Sequence, residues 1–212
     1  MNFKILSSYI NVESYLSNFL KISKKNIHTI RMNSHHDVRT IIINGQSADL
    51  QSKLNKGDNL EINIELGISN YIANNSLSII KEYEDDYLLI ASKPFGIKTH
   101  PNDITSENNT LVNYLITDYP YLEPIHRLDT DTCGLVIFAK TPFVKSKLDQ
   151  MLEHRVIKRF YTALVKNNIH VQTINTNIGR DNREKNKMAV TNKGKNAITN
   201  ILSCEKIEQN KF

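Results

Sequence analysis

The chain has 212 residues, 40% apolar and 23% charged, a balance that suits a globular protein of one large domain or of a small and a medium one. No stretch approaches the roughly 18 apolar residues of a membrane-crossing helix, and Met1 to Asn11 shows neither an unbroken apolar run nor a small-residue cleavage pattern, so a cytoplasmic protein is expected. The two cysteines, Cys133 and Cys204, form no Cys-x-x-Cys spacing, which speaks against a metal site or a disulfide framework.

In chain order, Leu16, Phe19 and Leu20 recur at helical spacing, and Ile27 and Ile30 follow the break at Lys24-Lys25, predicting two helices. Arg39 to Gly45 is a β-branched strand running into an Asn-Gly turn, and Leu54 to Asp58 makes a second turn. A strand from Leu60 to Leu66 then alternates, with Leu60, Ile62, Ile64 and Leu66 on one face. Residues 67–77 are polar, Asn-rich and aperiodic, and read as a linker between a small domain, 1–70, and a larger one, 71–212. In the larger part, strands are predicted around 79–92, 135–140, 159–165 and twice within 188–202, with helices near 110–117 and 142–154. Thr141-Pro142 supplies a cap and a first-turn proline for the second helix, and Val144, Leu148, Met151 and Leu152 share its face. The fold class expected is α+β, on a mixed, mainly antiparallel sheet.

The most informative stretch runs from His126 to Lys140. Leu135 to Ala139 is apolar at every position and suits a strand covered on both faces, with Asp129 in the loop that leads to it. There, partial burial raises a carboxylate's pKa and a nearby cation such as Arg127 lowers it, leaving an ionised nucleophile at neutral pH. The competing reading of Asp129 is a turn former.

His126-Arg-Leu-Asp129, Thr132, Gly134-Leu135 and Ala139-Lys140 strongly resemble the signature of RluA-type (RluA/RluC/RluD-like) RNA pseudouridine synthases; Cys133 stands where the family usually has Ser and is expected to pack. Lys93-Pro94-Phe95-Gly96, His100-Pro101, Asn109 to Val112, Arg159 to Val165 and Ile178 to Val190 continue the resemblance in the family's order. The first 66 residues resemble the αL RNA-binding module that precedes many of these catalytic domains, degenerate in that Met32 to His36 lacks the usual cations. The resemblance implies isomerisation of uridine without a cofactor, with Asp129 catalytic, Arg127 filling the space of the flipped base, Tyr161 stacked on the uracil and His126 beside the substrate. It favours ribosomal over transfer RNA. Without it, Tyr161 reads more readily as an ordinary strand aromatic filling a core.

Charge is unevenly spread. Residues 71–120 carry three Lys/Arg against seven Asp/Glu, whereas Arg155 to Lys195 holds ten basic side chains against Asp181 and Glu184. Such a field attracts a polyanion, and Arg155, Lys158, Arg159, Arg180 and Lys187 are the RNA-binding candidates; the alternative is a solvated Lys-rich surface. Asp129-Thr-Asp-Thr132 also spells the Asp-x-Asp-x-Thr of haloacid-dehalogenase-type phosphatases, but Pro124 and charge interrupt the strand that should deliver the first Asp. A His126–Cys133 pair lacks a third orienting group, and adjacent His35-His36 lacks metal-ligand spacing, so no metal is expected. Family members continue past the strand resembling Ile198 to Leu202 into a segment whose Arg partners the catalytic Asp. Nothing after Cys204 resembles it, so a C-terminally truncated synthase is expected to turn over little, and a catalytically silent RNA-binding protein is the second reading.

Overall fold

The computed structural model of the chain describes residues 1–37, 39–63, 67–181, 184 and 187–206. It divides into two compact units, Met1–Lys158 and Arg159–Phe212.

The first unit opens with β1 (Asn2–Lys4), α1 (Val12–Ser14), which continues as one π-helical stretch (Tyr15–Phe19), and α2 (Lys24–His36). Each helix starts where its cap allows. Asn11 and Ser14 form a reciprocal capping box, and Ser23 Oγ accepts from Asn26 N at 3.2 Å. Then come β2 (Ile41–Ile43), β3 (Gln46–Ser47) and β4 (Asn59–Ile62), joined to β1 in the antiparallel order β1-β4-β2-β3. The β2–β3 turn needs positive φ at both central residues, and Asn44 (52°) and Gly45 (81°) supply it. Leu60 and Ile62 fall on the buried face with Ile27, Ile30 and Ile41; the predicted continuation to Ile64 and Leu66 lies outside the described residues.

A second sheet combines β5 (Lys81–Glu84), β6 (Leu88–Lys93), β7 (Glu123–Pro124) and β8 (Gly134–Ala139) in the order β5-β6-β8-β7, every pair antiparallel. Among the described residues, the one parallel contact outside these strands is the isolated bridge of Lys98 with Thr110. Against this sheet pack α3 (Leu111–Leu115), a 3-10 turn at Ile116–Asp118 and α4 (Pro142–Glu153). Thr141 Oγ1 caps α4 from the position the sequence indicates, accepting from Val144 N at 3.2 Å, while Phe143 and Ser146 turn to the N-terminal part, the former joining its apolar core and the latter donating to Lys21 O.

One expectation is corrected in part here. Leu135 to Ala139 is covered on both faces except at its start: Val136 and Phe138 are buried with Leu89, Leu111 and Leu122, and on the opposite face Ala139 is buried with Ile125 and Leu148 and Ile137 packs beside them, whereas Leu135 is 56% exposed. The segment read as a linker is tied down. Ser69 Oγ donates to Glu123 Oε1 at 2.9 Å, Tyr71 OH to Glu123 Oε2 at 2.8 Å, and Asn113 Nδ2 to Ile72 O at 2.8 Å, since polar Asn, Ser and Tyr can dock by hydrogen bonds without any periodicity.

The second unit is a three-stranded antiparallel sheet, β9 (Gln172–Arg180), β10 (Met188–Val190) and β11 (Lys195–Ile201), in the order β10-β9-β11. Gly179 and Gly194 let β9 and the start of β11 close up: a Cβ on Gly194 would lie 2.4 Å from the carbonyl carbon of Ile178. The strand predicted at 159–165 is not formed: these residues have no ladder partner among the described residues, and a strand lasts only with one.

Candidate active site

The loop from His126 to Thr132 joins β7 to β8, and its geometry comes from buried groups beneath it. Leu128 is buried between exposed Arg127 and exposed Asp129, so these two side chains reach solvent from one short extended segment. Thr99 Oγ1 clamps Leu128 on both sides, donating to its carbonyl at 2.9 Å and accepting from its N–H at 3.0 Å. Thr130 O accepts from Gly96 N at 2.9 Å and from Lys93 Nζ at 3.1 Å, and Thr132 N closes a turn onto Asp129 O at 3.0 Å. The turn former and the exposed carboxylate are thus one residue: the backbone of Asp129 makes the turn and its side chain is presented.

Lys93 is the centre of this arrangement. It ends β6 and is 1% exposed, yet its three ammonium hydrogens meet three carbonyls, of Pro94 (3.0 Å), Ile97 (2.7 Å) and Thr130 (3.1 Å). Burial pushes its pKa below the ordinary lysine value, while Cys133, Asp131 and Asp129 nearby pull it back up. A buried cation therefore lies under the loop that carries the candidate carboxylate. The Lys-Pro-x-Gly turn was the signal for it, but a turn motif does not tell where the ammonium goes.

The remaining residues are placed as follows. His126 is half-buried, and its Nε2 accepts from Ile137 N at 3.3 Å, fastening the loop to β8. Cys133 is exposed and free, so the expected packing role is corrected: the turn before Gly134 (φ 130°) carries the thiol away from the core. The expected partial burial of Asp129 is likewise replaced by exposure, because Leu128 takes the inward position. Lys140 turns from the loop, donating to Asp85 O and pairing with Glu84 at 3.0 Å, which holds the Glu84 carboxyl below its usual range. Arg155 and Lys158 follow α4 and are exposed in the first unit. Arg159, Tyr161, Arg180 and Lys187 belong to the second unit and are also exposed, Tyr161 at 61% and outside any strand; Lys187 pairs with Glu184 at 2.9 Å.

Beside the loop lies a polar cleft of about 70 Å³, lined by Lys98 to His100, Asn102, Arg127, Leu128 and Thr130. Lys98 pairs with Glu107. Among the described residues there is no cluster of three or more His, Cys, Asp or Glu able to hold a metal, and no helix long and apolar enough to cross a membrane. Chemically, the site offers an exposed carboxylate, an exposed guanidinium two residues before it, and a rigid, hydrogen-bonded backbone holding both.

Comparison with known proteins gives matches at both ends of the chain. The family model for RNA pseudouridylate synthase matches residues 87–212, and that for the RluD ribosomal pseudouridine synthase N-terminal domain matches residues 1–60. An uncharacterised RNA pseudouridine synthase of Bacillus subtilis, YhcT, is 33% identical over 203 residues, covering 89% of this chain and 63% of the relative. A ribosomal large subunit pseudouridine synthase D of Nitrosomonas europaea is 37% identical over 131 residues, covering 58% of this chain and 38% of the relative. Among solved structures, human RNA Pseudouridylate Synthase Domain Containing 1 aligns at 19% identity and TM-score 0.40, over 58% of this chain and 50% of that one. The chain therefore spans less than two thirds of the length of these curated relatives.

Proposed function

The chain belongs to the RNA pseudouridylate synthase family, and on that premise we propose that it serves to isomerise uridine to pseudouridine in structured RNA, ribosomal RNA above transfer RNA, with Asp129 as the catalytic carboxylate. The single observation that carries this reading is Asp129 itself: a solvent-open carboxylate, in the family's motif, on a loop pinned from below by Thr99, Gly96 and Lys93. Rigid presentation matters because the reaction has two parts to align. The bond from C1′ to N1 breaks, a bond from C1′ to C5 forms, and the proton leaving C5 is balanced by one arriving at N1, so no co-reactant is consumed. A carboxylate held in one place can engage the nucleotide in the first part and serve the proton transfer in the second. Arg127, planar and exposed, suits the space left in the stack by the flipped base; Tyr161 is assigned to the uracil and His126 to the substrate side of the loop. Arg155, Lys158, Arg159, Arg180 and Lys187 are assigned to the RNA backbone, and residues 1–70 and 71–212 to an RNA-binding and a catalytic domain. The relatives named as ribosomal large subunit enzymes support the choice of RNA, and a cytoplasmic location follows from it.

The test is release of tritium from RNA carrying 5-tritiated uridine, with protein in excess over RNA so that a single slow turnover is read, and with the chain and its Asp129→Asn variant side by side. Asn keeps the shape and removes the charge. The expected result is a loss of at least about a hundredfold in rate. Release at the parental rate by the variant would remove Asp129 from the chemistry.

A further inference from the structure

The cleft beside the Asp129 loop contains a polar group that the chemistry above does not use. His100 Nδ1 is buried and makes no hydrogen bond. A buried imidazole nitrogen without a partner is costly in the free protein, which favours a turn of the ring that presents it to a donor or acceptor held in the cleft. The cleft, of about 70 Å³, has room for a single tetrahedral oxyanion.

The charges around the cleft select its sign. Lys98 on the same segment is neutralised by Glu107, but Arg127, from the facing loop, makes no ion pair among the described residues. The groups acting on His100 are Arg127 from that loop, Glu123 from β7 and Glu107 from the segment before α3, with Lys98 two residues away. The arrangement is one guanidinium without an ion pair among the described residues and one imidazole lining the same cleft, with the polar side chains of Asn102 and Thr130 beside them.

We propose that this cleft is a phosphate subsite, in which the Arg127 guanidinium and the His100 imidazole hold a backbone phosphate of the RNA next to the target uridine. The proposal rests on the RNA-modifying reading and adds to it what positions the nucleotide beside Asp129. The two duties of Arg127 are compatible, since a guanidinium stacks with its face and donates from its edge. In the free protein, burial first and Arg127 second hold the imidazole below its ordinary pKa, so at neutral pH it is uncharged. A phosphate offsets Arg127 and favours the imidazolium, so binding takes up a proton.

The experiment follows the His100 ring in the full chain by proton–nitrogen correlation between about pH 5 and 8. Its signal is identified by its loss in His100→Asn. The probes are uridine 3′,5′-bisphosphate, inorganic phosphate and uridine. The bisphosphate is expected to raise the titration midpoint of His100 by about one pH unit, uridine to leave it in place, and Arg127→Gln to abolish the shift. No shift with the bisphosphate, or one that survives Arg127→Gln, overturns the subsite. Inorganic phosphate acting as strongly as the bisphosphate overturns its assignment to the RNA backbone. The measurement needs no turnover: a shift without tritium release refutes the enzymatic reading alone, and release without a shift refutes the subsite alone.

Discussion

Replacing Lys93 by Met keeps the apolar stem and removes the ammonium from beneath the Asp129 loop. Its three acceptors are not equal. Thr130 O keeps the N–H of Gly96 at 2.9 Å, whereas the carbonyls of Pro94 and Ile97 lose the partner that meets them at 3.0 and 2.7 Å. Two buried acceptors left unpaired cost about 1–3 kcal/mol each. Against this stands the relief of no longer burying a charge, of the order of a few kcal/mol, which is why the pKa of Lys93 is pushed down. The balance is a net loss of about 1–3 kcal/mol, small enough for the unit to stay folded. The chain contains no Trp, so unfolding in urea is followed by circular dichroism and tyrosine fluorescence. A Lys93→Met midpoint equal to or above the parent's, at equal slope, would refute the reasoning, for it would mean that burying the ammonium costs as much as its three bonds return. With the loop slackened, tritium release should fall more than the folded fraction does, because displacement of a reacting group by about 1 Å is worth up to a hundredfold.

Thr99→Val removes a hydroxyl that both donates to and accepts from Leu128, at a cost of about 2–4 kcal/mol; Thr99→Ser should recover most of it, and the Leu128 amide should exchange with solvent faster only in the Val variant. Unchanged protection of that amide would dissolve the clamp. For His100 the folded pKa lies below 6.5, so between that value and the lower folded one the unfolded chain binds more protons and stability rises with pH. Its contribution is complete above pH 6.5 and is lost as pH falls through the folded pKa; His100→Asn should flatten the slope just below pH 6.5, and an identical slope in both proteins would contradict the sign. Gly194→Ala puts a methyl against the Ile178 backbone and should cost about 1–3 kcal/mol of the β9–β11 pairing, read as lost amide protection across Lys195–Ile201 with the first unit unaffected; retained protection would show that the close approach relaxes freely.

What could be read from the residues was whatever depends on near neighbours. The Thr141-Pro142 start of α4, the Asn44-Gly45 hairpin and the alternation of Leu60 with Ile62 are decided by caps, by φ preferences and by the two-residue period of a strand, all within a few positions of one another. The wording of His126 to Lys140 marked Asp129 for the same reason, as a contiguous motif. The strand predicted at Arg159 to Val165 did not form because a strand is defined by its partner, and a local run of residues does not say whether one is in reach. Leu135 and Cys133 were assigned to the interior on apolarity and size, but the reach of the residues packed on β8, which bury Val136 and Phe138 on one face and Ala139 on the other, decides which side chains are covered.

By itself the sequence determined the family, the capped and turn-marked local elements and the loop that carries the candidate carboxylate, since these reside in adjacent side chains. The tertiary structure alone decided what holds that loop. Lys93 reaches Thr130 across 37 positions and Thr99 reaches Leu128 across 29, contacts for which no periodicity exists, and it is their burial that turns an ordinary Lys-Pro-x-Gly turn into the support of an exposed Asp129.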